Sequence, residues 1–146
     1  MTKVAVITGA NRGLGFATAR GLGRSGAKVI VGARDGARGE EAAAALRSDG
    51  LDADSLALDV SSTASIQAAV KRVEQRHGRI DILVNNAGVL PEATAGDSDR
   101  PLDLRLFRET FETNLFGAVS VTKEFLPLLR RSDSGRIVNV SSTMGS

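Results

Sequence analysis

Apolar residues gather in five short runs: Val4 to Ile7, Val29 to Val31, Leu56 to Leu58, Ile80 to Val84 and Ile137 to Val140. Each run is rich in β-branched residues and nearly continuous in hydrophobicity, the pattern of a strand covered on both faces of a parallel sheet. Between the runs, apolar positions recur at helical spacing. The first four runs begin about 25 residues apart, close to the ~30-residue unit of strand, crossover helix and parallel strand. The pattern predicts an α/β architecture with helices on both faces of a five-stranded sheet. No sequence period accompanies it, so the architecture repeats while the sequence does not.

The first helix is expected from about residue 14 to residue 25, with Ala19, Leu22 and Gly23 at close-packing positions and Gly26 as its C-cap. A second follows Asp35-Gly36. Its alanine-rich run from Glu40 to Arg47 has high helix propensity and few large apolar groups, so it is expected to be largely exposed. A third begins after Ser61-Ser62, carries Ile66, Ala69, Val70 and Val73 on one face, and closes at Gly78. His77 falls in its last turn, where a cation suits the helix dipole, and no partner motif suggests catalysis. A polar loop from Pro91 to Pro101 precedes the longest helical stretch, about residues 104 to 131. There Phe107, Phe111, Leu115, Ala118, Val119, Thr122 and Phe125 trace one face, and Pro127 should kink the helix or mark its last turn.

Composition narrows the chemistry. With 146 residues the chain has room for one domain with a real core. No apolar run approaches the ~18 residues of a membrane span, and Met1-Thr2-Lys3 leads straight into a strand rather than a signal peptide. The expectation is a cytoplasmic protein without a membrane partner. The chain has no cysteine, which excludes disulfides and thiolate metal sites. A net charge of +2, with no basic stretch interleaved with aromatics, argues against nucleic acid. The chain also has a single histidine and no tyrosine, which matters below.

The first strand runs into Thr8-Gly9-Ala10-Asn11-Arg12-Gly13-Leu14-Gly15, and an amphipathic run follows. Strand, glycine-rich turn and helix together present a helix N-terminus to an anion. Gly9 supplies a backbone angle closed to other residues, Gly13 admits a pyrophosphate, and Gly15 lets the helix approach the sheet. An ordinary glycine turn is the alternative. If a dinucleotide binds, the end of the second strand meets its adenosine ribose. Ala33 stands where an acidic residue would favour NAD, and Arg34 follows it. A guanidinium pairs with a 2′-phosphate, and Arg12 offers a second cation, so NADP is favoured over NAD.

These residues resemble the short-chain dehydrogenases/reductases. Thr8 to Gly15 is similar to their TGxxxGxG cofactor turn, and Asn85-Asn86-Ala87-Gly88 to their NNAG motif. Asp59-Val60 matches the adenine contact, Asn114 the asparagine of the catalytic tetrad, and Ser142 the catalytic serine. The resemblance covers nearly the whole chain, and its wording is nearest the NADPH-dependent carbonyl reductases. It implies a Rossmann-type doubly wound sheet of order 3-2-1-4-5, with two further strands in the family. It also implies cofactor contacts from Gly9, Asn11, Arg12, Gly13, Leu14, Gly15, Arg34, Asp59, Val60, Asn86, Ala87 and Gly88. The implied reaction is NADP(H)-dependent conversion between a small-molecule carbonyl and its alcohol, with pro-S hydride transfer. In it Ser142 binds the carbonyl and Asn114 holds a water of the proton relay.

The chain departs from the family at one point. The family's proton donor is the tyrosine of a YxxxK motif, and no tyrosine occurs here. Lys123 precedes the serine motif and does not match the missing lysine. The expectation is therefore a cofactor-binding part of a longer reductase, inactive alone, with a non-catalytic NADP-binding or interaction module as the alternative. Ile137, Val138 and Val140 would form an exposed apolar edge. A homo-oligomer through the long helix or that fifth strand is the expected protein partner.

Overall fold

The computed structural model describes residues 2–86 and 104–140, apart from the side chain of Phe107. Its elements alternate as β1 (Val4–Ile7), α1 (Gly13–Arg24), β2 (Lys28–Ala33), α2 (Gly36–Ser48), β3 (Ala53–Ala57), α3 (Thr63–His77), β4 (Ile82–Asn86), α4 (Leu104–Arg130) and β5 (Arg136–Val140). All strand pairs are parallel, in the order β3-β2-β1-β4-β5. The order reverses between β1 and β4, so ligand-binding turns collect at one carboxyl edge.

Alternate residues of each strand enter opposite layers, which is why the runs read as continuously apolar. Val4 and Val6 of β1 join Ile30, Leu56, Ile66, Val73 and Phe125 beneath α3 and α4. Ala5 and Ile7 join Val29, Val31, Ala43, Leu46 and Val84 beneath α1 and α2. Helix ends follow local chemistry. The Asp35 side chain accepts from the N–H groups of Ala37 and Arg38 to open α2, and Ser62 accepts from Ser65 to open α3. Gly78 ends α3 at φ 75°, a left-handed cap that a side chain would strain.

Opposite the carboxyl edge, Asp81 ties the layers together. Its buried carboxylate accepts from Val4 N (2.8 Å), Ser132 Oγ (2.6 Å) and Arg79 Nε (3.2 Å). Among the described residues no helix is long and apolar enough to cross a membrane.

Two sequence expectations need correction. Strand β3 begins three residues earlier than Leu56, because the polar Asp54 and Ser55 are partnered. Asp54 pairs with Lys28 (3.2 Å) and Arg76 (3.8 Å), and Ser55 donates to Glu40 (2.6 Å). Helix α2 is largely exposed, as expected, and only Gly39, Ala42, Ala43 and Leu46 are buried, since small residues let its backbone lie close on β2 and β3. The buried face of α4 is also rotated from the expected stripe. Gly117, Val121, Phe125 and Leu128 face inward, whereas Phe111, Leu115 and Val119 stay more than half exposed. Pro127 lies in the last turn of α4.

Candidate functional site

The turn after β1 is built by what its glycines permit. Gly9 and Gly13 adopt φ of 59° and 61°. A Cβ at Gly13 would meet nothing within 4 Å, so this glycine answers a backbone need and leaves open space above it. Gly15 has the opposite surroundings. A Cβ there would run into the Gly9 carbonyl oxygen and come within 2.7 Å of Asn86 Nδ2, so glycine alone lets α1 start this close to the sheet. Unlike α2 and α3, α1 has no side-chain cap: its N-cap residue Arg12 makes no capping hydrogen bond, and no acidic residue lies in the first turn. The N–H groups of Gly13, Leu14 and Gly15 therefore point out of the helix without intrahelical acceptors. Leu14 is 62% exposed beside them, and Asn11 is half-buried.

Hydrogen bonds stitch the neighbouring strand ends to this turn. Ala10 N–H donates to Gly32 O (2.9 Å), Thr8 N–H to Val84 O (3.0 Å), and Leu58 N–H to Ala33 O (2.9 Å). Beyond Ala33, Arg34 is exposed and forms no ion pair or hydrogen bond among the described residues. Beyond Leu58, Asp59 Oδ1 accepts from the hydroxyl (2.6 Å) and N–H (3.0 Å) of Ser61. These two bonds, against a small opposing effect of burial and with help from the Arg34 charge, hold the Asp59 carboxyl below its ordinary pKa. The carboxylate stays ionised at neutral pH, an acceptor beside an unpaired guanidinium.

At the end of β4, Asn86 clasps the turn. Its N–H donates to Thr8 Oγ1 (3.0 Å) and its Nδ2 to Gly9 O (3.1 Å). Asn85 faces the other layer, where its Nδ2 donates to Thr122 Oγ1 on α4 (2.9 Å) and Asn139 Oδ1 on β5 (3.0 Å). The buried Asn85 Oδ1 has no hydrogen-bond partner among the described residues. Asn114 is half-buried on α4. Three residues on, Gly117 lies against Val60, where a Cβ would come within 3.1 to 3.3 Å of Val60 Cγ2, O and Cβ.

One edge therefore brings together Gly9, Asn11, Arg12, Gly13, Leu14, Gly15, Arg34, Asp59, Val60 and Asn86, and α4 carries Asn114 three residues before the Gly117–Val60 contact. Ala87, Gly88 and Ser142 lie outside the described residues. Sequence reading placed Thr8 and Asn85 in motifs and Thr122 on a helix face, but did not foresee that these, with Gly32 and Asn139, brace the site. For Gly32 and Asn139 the signal is a glycine or polar residue inside an otherwise apolar strand, as in Val138-Asn139-Val140. Chemically, the edge offers an uncapped helix N-terminus, clearance above Gly13 and the cations Arg12 and Arg34. These features fit a phosphorylated dinucleotide.

Comparison with known proteins agrees with this geometry. The family model described as short chain dehydrogenase matches residues 3–146. A short-chain dehydrogenase, anuI, of Penicillium roqueforti (strain FM164) is 43% identical, over 96% of this chain and 56% of its own length. Carbonyl reductase [NADPH] 1 of Sus scrofa is 41% identical, over 99% of this chain and 48% of its own length. The crystal structure of a gluconate 5-dehydrogenase from Burkholderia cenocepacia J2315, in complex with NADP and tartrate, superposes with a TM-score of 0.79 at 34% identity. That match covers 96% of this chain and 53% of that one. The chain spans about half the length of the curated relatives it matches.

Proposed function

Because the chain belongs to the short-chain dehydrogenase family, we propose that the complete protein is an NADP(H)-dependent oxidoreductase interconverting a ketone or aldehyde and its alcohol. The observation that carries this reading is the uncapped, glycine-lined start of α1 with the unpaired Arg34 at the neighbouring strand end. The NADPH in the name of the Sus scrofa relative and the NADP in the Burkholderia cenocepacia complex support the cofactor.

Within this reading, the first-turn N–H groups of α1 hold the pyrophosphate, and Arg34, with Arg12 nearby, pairs with the 2′-phosphate. The Asp59 carboxylate accepts from the adenine amino group, and Val60 lies beside the ring. Asn86 keeps Gly9 in place, and Ala87 and Gly88 of the NNAG motif are assigned to the cofactor by the family resemblance. When bound, the nicotinamide supplies or accepts the hydride. Ser142 donates a hydrogen bond to the substrate oxygen, and Asn114 holds a water that passes the proton. The proton donor itself is not among these 146 residues, which include no tyrosine. That count also favours a second reading, a module that binds NADP without catalysis.

Titration of wild type and Arg34→Asp with NADP(H) and NAD(H) tests the cofactor assignment. Loss of a charge-assisted phosphate contact should weaken NADP(H) binding about 10- to 100-fold. NAD(H) binding should hold or improve, because a carboxylate there accepts from a 2′-hydroxyl. Equal losses for both cofactors would contradict the assignment. Carbonyl-dependent NADPH oxidation by the complete protein separates the enzyme from the non-catalytic module.

A further inference from the structure

Gly117 is the place where the catalytic helix and the adenine loop touch, and the two sides of this contact are unequally firm. On the loop side, Asp59 N–H donates to Ser65 Oγ (2.9 Å), Ser61 N–H to Asp59 Oδ1 (3.0 Å), and Ser65 N–H to Ser62 Oγ (3.1 Å). Ser62 N–H also donates to Asp59 O (3.0 Å). These bonds brace the Val60 backbone from both directions. On the helix side, α4 is anchored beyond Gly117, by the Thr122–Asn85 hydrogen bond and by the buried Val121, Phe125 and Leu128. Toward its N-terminus Phe111, Leu115 and Phe116 are exposed.

A side chain at Gly117 would press on three atoms of Val60, one of them the carbonyl oxygen, at 3.1 to 3.3 Å. Because the loop is braced, a side chain here would be relieved by displacing α4. Asn114 lies on the N-terminal side of the contact, three residues or ~4.5 Å along the axis. We propose that Gly117 is a positioning residue: its bare backbone seats α4 on Val60 and so sets where Asn114 stands relative to the carboxyl edge. The proposal rests on the reading of Asn114 as the residue that holds the relay water.

The test compares wild type, Gly117→Ala, Val60→Ala and the double variant of the complete protein. Two readouts are used: the side-chain amide signal of Asn114 in 1H–15N spectra, and steady-state kinetics per NADP(H)-binding site. Gly117→Ala should shift the Asn114 signal and lower kcat on the order of 10-fold or more, as misplacement of a reacting group does. KM for the carbonyl and NADP(H) affinity should stay within about twofold, because transition-state positioning is lost rather than ground-state binding. Removing the Val60 methyls should return the Asn114 signal toward its wild-type position and recover part of kcat, measured against Val60→Ala alone. A purely structural glycine would lower the folded fraction and leave kcat per binding site unchanged. An unmoved Asn114 signal, or a shift that Val60→Ala does not relieve, overturns the proposal. Wild type without turnover would instead count against the reductase reading, while the Asn114 signal would still decide the positioning role.

Discussion

Asp81 and His77 show how single residues set the pH range over which this fold is firm. Burial alone would raise the Asp81 pKa, yet hydrogen bonds from Ser132, Val4 N–H and Arg79 outweigh it and hold the carboxyl below its ordinary value. A depressed carboxylate stabilises the fold above its unfolded pKa of about 3.9, and that stability is lost as pH falls through the lower, folded value. His77 is also depressed, first by burial and then by Lys28 and Arg76, against opposing pulls from Asp54 and Asp52. For a base the unfolded chain then takes the proton first, so stability falls as pH drops below about 6.5 and levels off beneath the folded pKa. Urea midpoints measured against pH should show two steps, one starting near neutrality and one in the acid range. Because His77 is the chain's single histidine, His77→Gln should remove the first step and leave the second. Asp81→Ala leaves the Val4 N–H and Ser132 hydroxyl without their acceptor and should cost about 3 kcal/mol at neutral pH. A flat His77→Gln comparison, or a mild Asp81→Ala, would refute the respective account. At this scale the sequence was legible where a residue acts through its own backbone, as at Gly9 and Gly78. It was silent where meaning comes from a partner distant in sequence: nothing near Asp81 announces Val4 or Ser132.

Elements were legible where hydrophobic pattern and cap agree. Helix α3 illustrates this, with its Ser62 cap, its Ile66–Ala69–Val73 face and its left-handed Gly78. Faces were less legible than spans. The buried side of α2 consists of Gly39, Ala42, Ala43 and Leu46, which hydropathy alone undervalues because small residues gain burial by close approach rather than by bulk. The N-terminal half of α4 carries large apolar groups that the described structure leaves exposed, so its amphipathic stripe pointed the wrong way. Helix α1 provides the test of close approach. Gly15→Ala drives a methyl into the Gly9 carbonyl and the Asn86 amide, contacts that cannot relax without moving α1 or breaking the Asn86–Gly9 hydrogen bond. Overpacking of this kind should lower stability by roughly 1–3 kcal/mol. NADP(H) binding should weaken more than that loss of folded protein explains, because the same step displaces the first-turn N–H groups. Isothermal titration beside thermal unfolding separates the two effects. Binding that tracks only the folded fraction would mean that the helix start tolerates displacement.

At the scale of the whole molecule, most exposed large apolar residues among those described belong to α4 and β5. Phe116 is 71% exposed, Val119 57% and Leu115 55%, and on β5 Ile137 and Val138 are exposed to 42% and 45%. Such clustering exceeds the scatter expected of a surface that meets only water. At helical spacing Glu109, Glu112, Phe116, Val119 and Lys123 share the outward side of α4, acidic toward the N-terminus and basic toward the C-terminus. Two copies laid antiparallel would set Phe116 and Val119 together and bring Glu112 of each near Lys123 of the other. We propose a second copy of this chain as the partner of the α4 surface. Sedimentation equilibrium of the 146-residue chain should show a dimer that weakens with added salt, since exposed charge pairs are screened. Phe116→Lys should shift it to monomer while NADP(H) affinity is kept, because Phe116 is outside the glycine turn and its braces. If Ile137→Lys dissociates the dimer and Phe116→Lys does not, the contact is the β5 edge, where a neighbouring strand would continue the sheet. A monomer at every concentration would show that neither surface pairs copies of this chain.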